Sequence, residues 1–293
     1  MIDRSVISSY IPAFISIING TYNPGEPKNY HEEKVLPFLE QMGSRISITA
    51  DYENPDIPEN SIAVHPIFGV VRAESRWNFA TKQFVRNVMA AENNPAIIAH
   101  FIPASTPGGE AHYLDQAAAV LESTQKPVVV HFERMIASAG VYLTAPANRI
   151  YANSRYDRAG SIGTMVSGVD MVPLLEMFGA KYFEAFATDS TLKNKIETEL
   201  MNGNPEGYIS QVLDPLNEGF LDTVKRNRPG VNSASKDAGV LNGNMFYAPE
   251  AIKHGLIDGI KSQAQALSEA YDLGIEHRKM QSKTRQIQSF LYS

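Results

Sequence analysis

Four short segments of the chain carry residue types that can do chemistry. In STPGG, Ser105 to Gly109, two glycines follow a proline between an apolar run and a helical one. Consecutive glycines let backbone N–H groups point outward and come close to a ligand; the same letters also make a plain tight turn. In RMIASAGVYL, Arg134 to Leu143, Ser138 stands among Ala137, Ala139 and Gly140 at an expected helix start. Unpaired N–H groups and the positive end of the helix dipole favour a developing negative charge there, and a serine in that place can equally be a simple N-cap. RAGSIGTMVSG, Arg158 to Gly168, is a Gly/Ser-rich loop without the Gly-Lys-Ser/Thr of a P-loop or the spacing of a dinucleotide fingerprint. DSTLKNK, Asp189 to Lys195, offers two amines, Lys193 and Lys195, in a stretch that reads by default as a solvated loop.

The chain has no Cys, which removes thiolate metal sites, disulfides and a Cys nucleophile together. A Ser hydroxyl is a poor nucleophile until a base takes its proton. The seven His stand at 31, 65, 100, 112, 131, 254 and 277, so none follows Ser138 before His254. His131, in VVVHF, reads as a core or strand-end residue. A Lys can act as base if burial lowers its pKa from about 10.4 toward neutrality. That demands a closed apolar site, for which Phe183, Phe186 and Leu192 are the flanking candidates.

These segments need a scaffold, and the pattern supplies one. SIAVHPIFGVV, AIIAHFIP, KPVVVHF, NRIYAN and KYFEAFAT read as strands. Helical spacing is expected in EEKVLPFLEQMG, NFATKQFVRNVMAAENNP, EAHYLDQAAAVLEST, VDMVPLLEMFGA and from Pro205 to Asn227. Strands alternating with helices of this size predict an α/β domain with a mostly parallel sheet. Residues 1–60, rich in Asn, Pro, Glu and Tyr, read as an N-terminal extension wrapped on the main domain or on a neighbouring subunit. In the C-terminal tail, 263–293, the locally basic stretch EHRKMQSKTRQIQSFLYS reads as a solvated or frayed end.

The 293 residues hold 26 Lys+Arg against 32 Asp+Glu, a net charge of −6, which argues against a nucleic-acid partner. The most apolar early stretch, Ile11 to Ile18, is too short to span a bilayer and contains Pro12. With no signal peptide evident, a cytoplasmic location without an integral membrane segment is expected. No cofactor and no metal is called for.

In order, strand–PGG–helix–strand–xASxG–helix–strand–GSIG–helix–strand–SxxK resembles the signal peptide peptidase A (protease IV) family. These are serine peptidases of the Clp-protease/crotonase superfamily. NPAIIAHFIPASTPGGEAHYLDQAAAVLESTQKPVVVHFERMIASAGVYLTAPANRIYANSRYDRAGSIGTMVSG and the later GNMFYAPEAIKHGLIDGI carry the resemblance, over residues 61–262. It implies a Clp/crotonase-like fold of repeated ββα-type units, one peptidase domain after the extension, and a homo-oligomer. It implies Ser138 as nucleophile and Lys193 as general base, with Lys195 as the alternative. Gly109, with Gly108 beside it, would form the oxyanion hole with the Ser138 N–H, and Ser161 would orient the lysine. Substrates would be extended apolar peptides bound as an added strand, signal-peptide-like or, for phage-type relatives, capsid proteins. Small residues around Ser138 suggest a modest apolar primary pocket. Ala104-Ser105-Thr106 before PGG and Ala139-Gly140 after the serine depart from the family's usual letters. Two other functions fit the same segments: a catalytically inactive oligomeric scaffold, and a crotonase-type enzyme on acyl-CoA, for which Glu110 and Asp115 are the available carboxylates.

Overall fold

The computed structural model describes residues 29–42, 46–231 and 238–291. The early apolar stretch and most of the Asn/Pro-rich N-terminus lie outside the described residues. The strands are β1 (Ile48–Thr49), β2 (Ser61–Val64), β3 (Ile67–Phe68), β4 (Val71–Arg72), β5 (Phe79–Ala80), β6 (Ile97–Thr106), β7 (Val128–Ala137), β8 (Arg149–Ala152), β9 (Arg158–Gly160), β10 (Met245–Tyr247) and β11 (Gly259–Ile260). The helices are α1 (Leu36–Met42, after a π-turn), α2 (Thr81–Asn93), α3 (Leu114–Ser123), α4 (Ala139–Thr144), α5 (Val172–Met177), α6 (Lys195–Met201), α7 (Glu206–Tyr208), α8 (Asp214–Asn227), α9 (Ala248–Lys253) and α10 (Gln263–Leu291).

The main sheet runs β1-β2-β6-β7-β8-β11, with β3 on β6 and β9 on β7. Every described pairing in it is parallel except β10 on β9. The mostly parallel α/β class expected from the alternation is therefore the one present. Parallel strands covered on both faces read as continuous apolar runs, as IIAHFI and VVVHF do. Along β7 the faces still alternate: Val128, Val130 and Phe132 join a core with α2, α3, α4 and α8, while Val129 points to the other side with Phe101 and Tyr151.

That second face shows that the tail begins as a packed helix, while residues 279–286 of its basic stretch are exposed as expected. Residues 263–291 form one helix, and Ala266, Leu267 and Ala270 are buried against the sheet. The basic residues that suggested a solvated end begin only at Arg278, beyond the apolar face. SIAVHPIFGVV is three short strands rather than one. KYFEAFAT forms no strand, because no described neighbour takes its N–H and C=O groups, and Phe183 is 87% exposed. Residues 46–60 contribute β1 to the sheet and bury Tyr52 and Ile57.

Parallel pairing at the C-terminal ends of β6, β7 and β9 collects three of the four sequence segments. Thr106 pairs with Ile136, so two residues later the PGG turn comes level with Ser138. Ala137 pairs with Gly160, so Ser138 and Ser161 leave adjacent strands side by side.

Candidate active site

Ser138 links β7 directly to α4 with φ 53° and ψ −118°, a conformation that costs a non-glycine residue about 1–3 kcal/mol. The surroundings hold it there. Its N–H donates to the Gly160 carbonyl at 2.9 Å, and its carbonyl accepts the Tyr142 N–H at 3.0 Å. The side chain is buried to all but 3%. Because the Ser138 N–H is committed to β9, it is not the oxyanion donor that the resemblance implied.

Upstream, β7 changes partner from β8 to β9 between Phe132 and Met135, and Arg134 takes φ 66° there. The buried Asp157 pins this irregularity: Oδ1 accepts the Arg134 N–H at 2.7 Å and Oδ2 the Ser154 N–H at 2.6 Å. Nothing in the sequence pattern singled out Asp157, since its partners are backbone groups brought near by the sheet.

The PGG turn lies against the serine. Gly108 has φ 95°, and a Cβ on it would stand 2.7 Å from Ser138 Cβ and 3.1 Å from the Ala139 nitrogen. Gly109 is clamped from behind by β4. Val71 N–H donates to the Gly108 carbonyl at 2.9 Å, Glu110 N–H donates to the Val71 carbonyl at 2.9 Å, and a Cβ on Gly109 would collide with that Val71 carbonyl. Glu110 Oε2 accepts the Ala73 N–H at 3.0 Å, so this carboxylate fastens the turn to β4.

A cleft of about 350 Å³ opens beside Ser138 and Gly109. Leu114, Tyr142, Met165, Leu213 and Phe220 give it apolar walls, with Asp115 and His112 also lining it. His112, which precedes Ser138 in the chain, has a side chain 79% exposed and its Nδ1 4.0 Å from Glu110 Oε1. His131 is a fully interior strand residue with Nε2 3.1 Å from the Lys261 carbonyl. Ser161 has φ 55° and donates its N–H to the Asn244 carbonyl at 2.9 Å. It lines a neighbouring cleft of about 440 Å³ with Asn217, whose buried Oδ1 has no hydrogen-bond partner among the described residues.

The fourth segment is placed differently. Lys193 and Lys195 are exposed on an arm of residues 164–203, neither lines the cleft, and Lys195 Nζ lies 3.8 Å from Glu199 Oε1. Among the described residues nothing supplies the apolar enclosure expected from Phe183, Phe186 and Leu192, which are 87%, 47% and 75% exposed. Met177 and Phe178, at 83% and 72%, extend this uncovered apolar surface. One chain thus brings Ser138, Gly108, Gly109 and Ser161 together and leaves both lysines out of the cleft lining.

The model of peptidase family S49 matches residues 121–274, more than half of the chain. Putative signal peptide peptidase SppA of Enterococcus faecium is 23% identical over 202 residues, 66% of this chain and 56% of that protein. Protease 4 of Haemophilus influenzae is 24% identical over 241 residues, 80% of this chain and 37% of that one. The chain therefore spans less than two thirds of the length of either relative. Among solved structures, a membrane-bound stomatin-specific protease, 1510-N, aligns with a TM-score of 0.47 at 17% identity, covering 72% of this chain and 84% of that one. Among the described residues no helix is long and apolar enough to cross a membrane.

Proposed function

Because the chain belongs to peptidase family S49, we propose that it is a serine endopeptidase with Ser138 as nucleophile and Lys193 as general base, Lys195 being the alternative. The observation that carries this reading is the strained, buried Ser138 at the β7–α4 junction, with a glycine turn packed on it and an apolar cleft beside it. A structural serine gains nothing from such a backbone, whereas a nucleophile is presented by it.

Ser138 Oγ attacks the substrate carbonyl while a neutral lysine takes its proton and returns it to the leaving amine. The oxyanion is held by the amides of Gly109 and of Ala139, the first residue of α4, rather than by that of Ser138. Water then hydrolyses the acyl-enzyme. The walls of the cleft favour an apolar side chain on an extended peptide, which fits signal-peptide-like or capsid-type substrates.

The base has to come from the arm. Its exposed apolar residues, together with Lys193 and Lys195, support a homo-oligomer in which the arm closes on a second copy. Covering Phe183, Phe186 and Leu192 removes them from water, and an amine carried into the same interface is favoured in its neutral form.

The test is labelling by a fluorophosphonate probe. Labelling of the intact chain that is lost in Ser138→Ala and in Lys193→Ala, and kept in His112→Ala, supports the dyad. Loss in His112→Ala with retention in Lys193→Ala and Lys195→Ala transfers the role of base to the imidazole. A well-folded oligomer that never labels is the inactive scaffold.

A further inference from the structure

We propose that Thr106 is a positioning residue that sets the distance between the oxyanion turn and the nucleophile. This rests on the peptidase reading and deepens it. Thr106 is the last residue of β6 and is fully buried. Its hydroxyl donates to the Gly69 carbonyl at 2.7 Å and accepts the Gly108 N–H at 3.0 Å. Its methyl abuts α4, where a Cβ placed on Gly140 would stand 2.5 Å from Thr106 Cγ2. One side chain therefore touches the β3–β4 connection, the PGG turn and the helix that begins after Ser138.

The turn needs such a pin. Oxyanion donors act only when they stand 2.7–3.1 Å from where the charged oxygen forms. Ser138 is fixed by its own bonds to β9 and α4. β4 holds the turn through the Gly108 carbonyl and the Glu110 N–H, but ahead of these Pro107 has no N–H to give and Gly108 has the wide freedom of a glycine. The single hydroxyl proton of Thr106 is spent on Gly69, which turns its lone pairs to Gly108 N–H. β-Branching holds this rotamer, because the methyl is wedged against α4 while the hydroxyl makes the bridge. Valine keeps the shape and loses the bridge; serine keeps the bridge and loses the wedge.

Transition-state contacts appear in kcat rather than in KM. Thr106→Val is expected to lower kcat about 10–100-fold on a short peptide substrate, less than outright loss of a donor, with KM within about twofold. The inhibition constant of a peptide boronate, whose tetrahedral oxygen occupies the oxyanion position, should rise by the same factor. Thr106→Ser should stay within about threefold of the unaltered chain. A Thr106→Val enzyme with unchanged kcat and unchanged boronate inhibition overturns the proposal, as does a Thr106→Ser enzyme that falls as far.

Should Thr106→Val fail to fold, Gly140→Ala supplies the second route. Alone it pushes on the Thr106 methyl and should lower kcat; combined with Thr106→Ser, which removes that methyl and leaves only the looser 3.2 Å approach to Ile136 Cγ1, it should recover in large part. Absence of recovery overturns the proposal. A chain of natural sequence that never reacts with the fluorophosphonate overturns the peptidase reading and this one together. An unaltered chain that labels, but no faster than Thr106→Val, overturns this one alone.

Discussion

The serine half of the site and the lysine arm are built on opposite terms. Ser138, Gly108 and Gly109 are held by the ends of buried parallel strands, with the Ser138 N–H on Gly160, the Gly108 N–H on Thr106 and the Gly108 carbonyl on Val71. The arm carries Lys193 and Lys195 on short helices and irregular chain, with its large apolar side chains in water. Interior packing and hydrogen bonds can hold a strained residue at φ 53°, whereas an arm with uncovered phenylalanines is complete only against something else. Under the proposed mechanism, one chain preorganises the nucleophile and assembly supplies the base.

The largest effects should come from removing either member of the dyad. Ser138→Ala and Lys193→Ala are each expected to lower kcat/KM on the order of 10⁴-fold or more, by analogy with losses in other serine peptidases. Equal losses, with the oligomer intact by sedimentation, keep the two halves in one mechanism. A fully active Lys193→Ala, Lys195→Ala double variant separates them for good. Next in size is Gly109→Ala, whose added methyl meets the Val71 carbonyl. Displacing that amide should cost about 10²–10³-fold in kcat, and an unaltered rate means that the turn holds no oxyanion.

Phe183→Asp addresses the arm alone. It should weaken assembly and make activity per subunit fall about tenfold on dilution, leaving the thermal unfolding of the single chain unchanged, since exposed substitutions usually alter stability within about 0.5 kcal/mol. If activity stays independent of concentration and of this substitution, the arm closes within its own chain. Asp157→Asn acts on the serine side: an amide cannot accept from both Arg134 and Ser154 N–H groups. A stability loss of about 1–3 kcal/mol is expected in denaturant unfolding, and no loss would mean the bend at Arg134 is held by its neighbours.

The smallest effect lies away from the site. His65 Nε2 and His100 Nδ1 are 3.0 Å apart, and His100 Nε2 is 3.0 Å from Glu92 Oε2. Burial, and for His65 the neighbouring His100, hold both imidazoles below the ordinary histidine range, while Glu92 partly offsets this for His100. The unfolded chain then binds more protons than the folded one below about pH 6.5, so stability falls as the pH drops through that value. A melting temperature that stays flat or rises from pH 7 to pH 5 would contradict this.

Much of the serine half was legible in the sequence because it depends on short-range chemistry. PGG requires glycine at Gly108, where a side chain has no room, and ASAG requires small residues beside a strained serine. Buried parallel strands announce themselves as apolar runs, so the order of elements could be read as well. Asp157 and the hydroxyl of Thr106 stayed silent, since an isolated Asp or Thr says nothing of which distant N–H it will meet. KYFEAFAT misled for the converse reason: its letters favour a strand, but a strand exists only where a partner accepts its hydrogen bonds.

Sequence alone determined the α/β alternation and the S49-type order of motifs, and it singled out Ser138 as the candidate nucleophile, because those rest on residue type and local spacing. Tertiary structure decided that the Ser138 amide is spent on Gly160, that Thr106 bonds the PGG turn and Asp157 the bend at Arg134, and that neither lysine lines the cleft. Those facts are contacts between residues far apart in the chain, and only the register of packed strands fixes them.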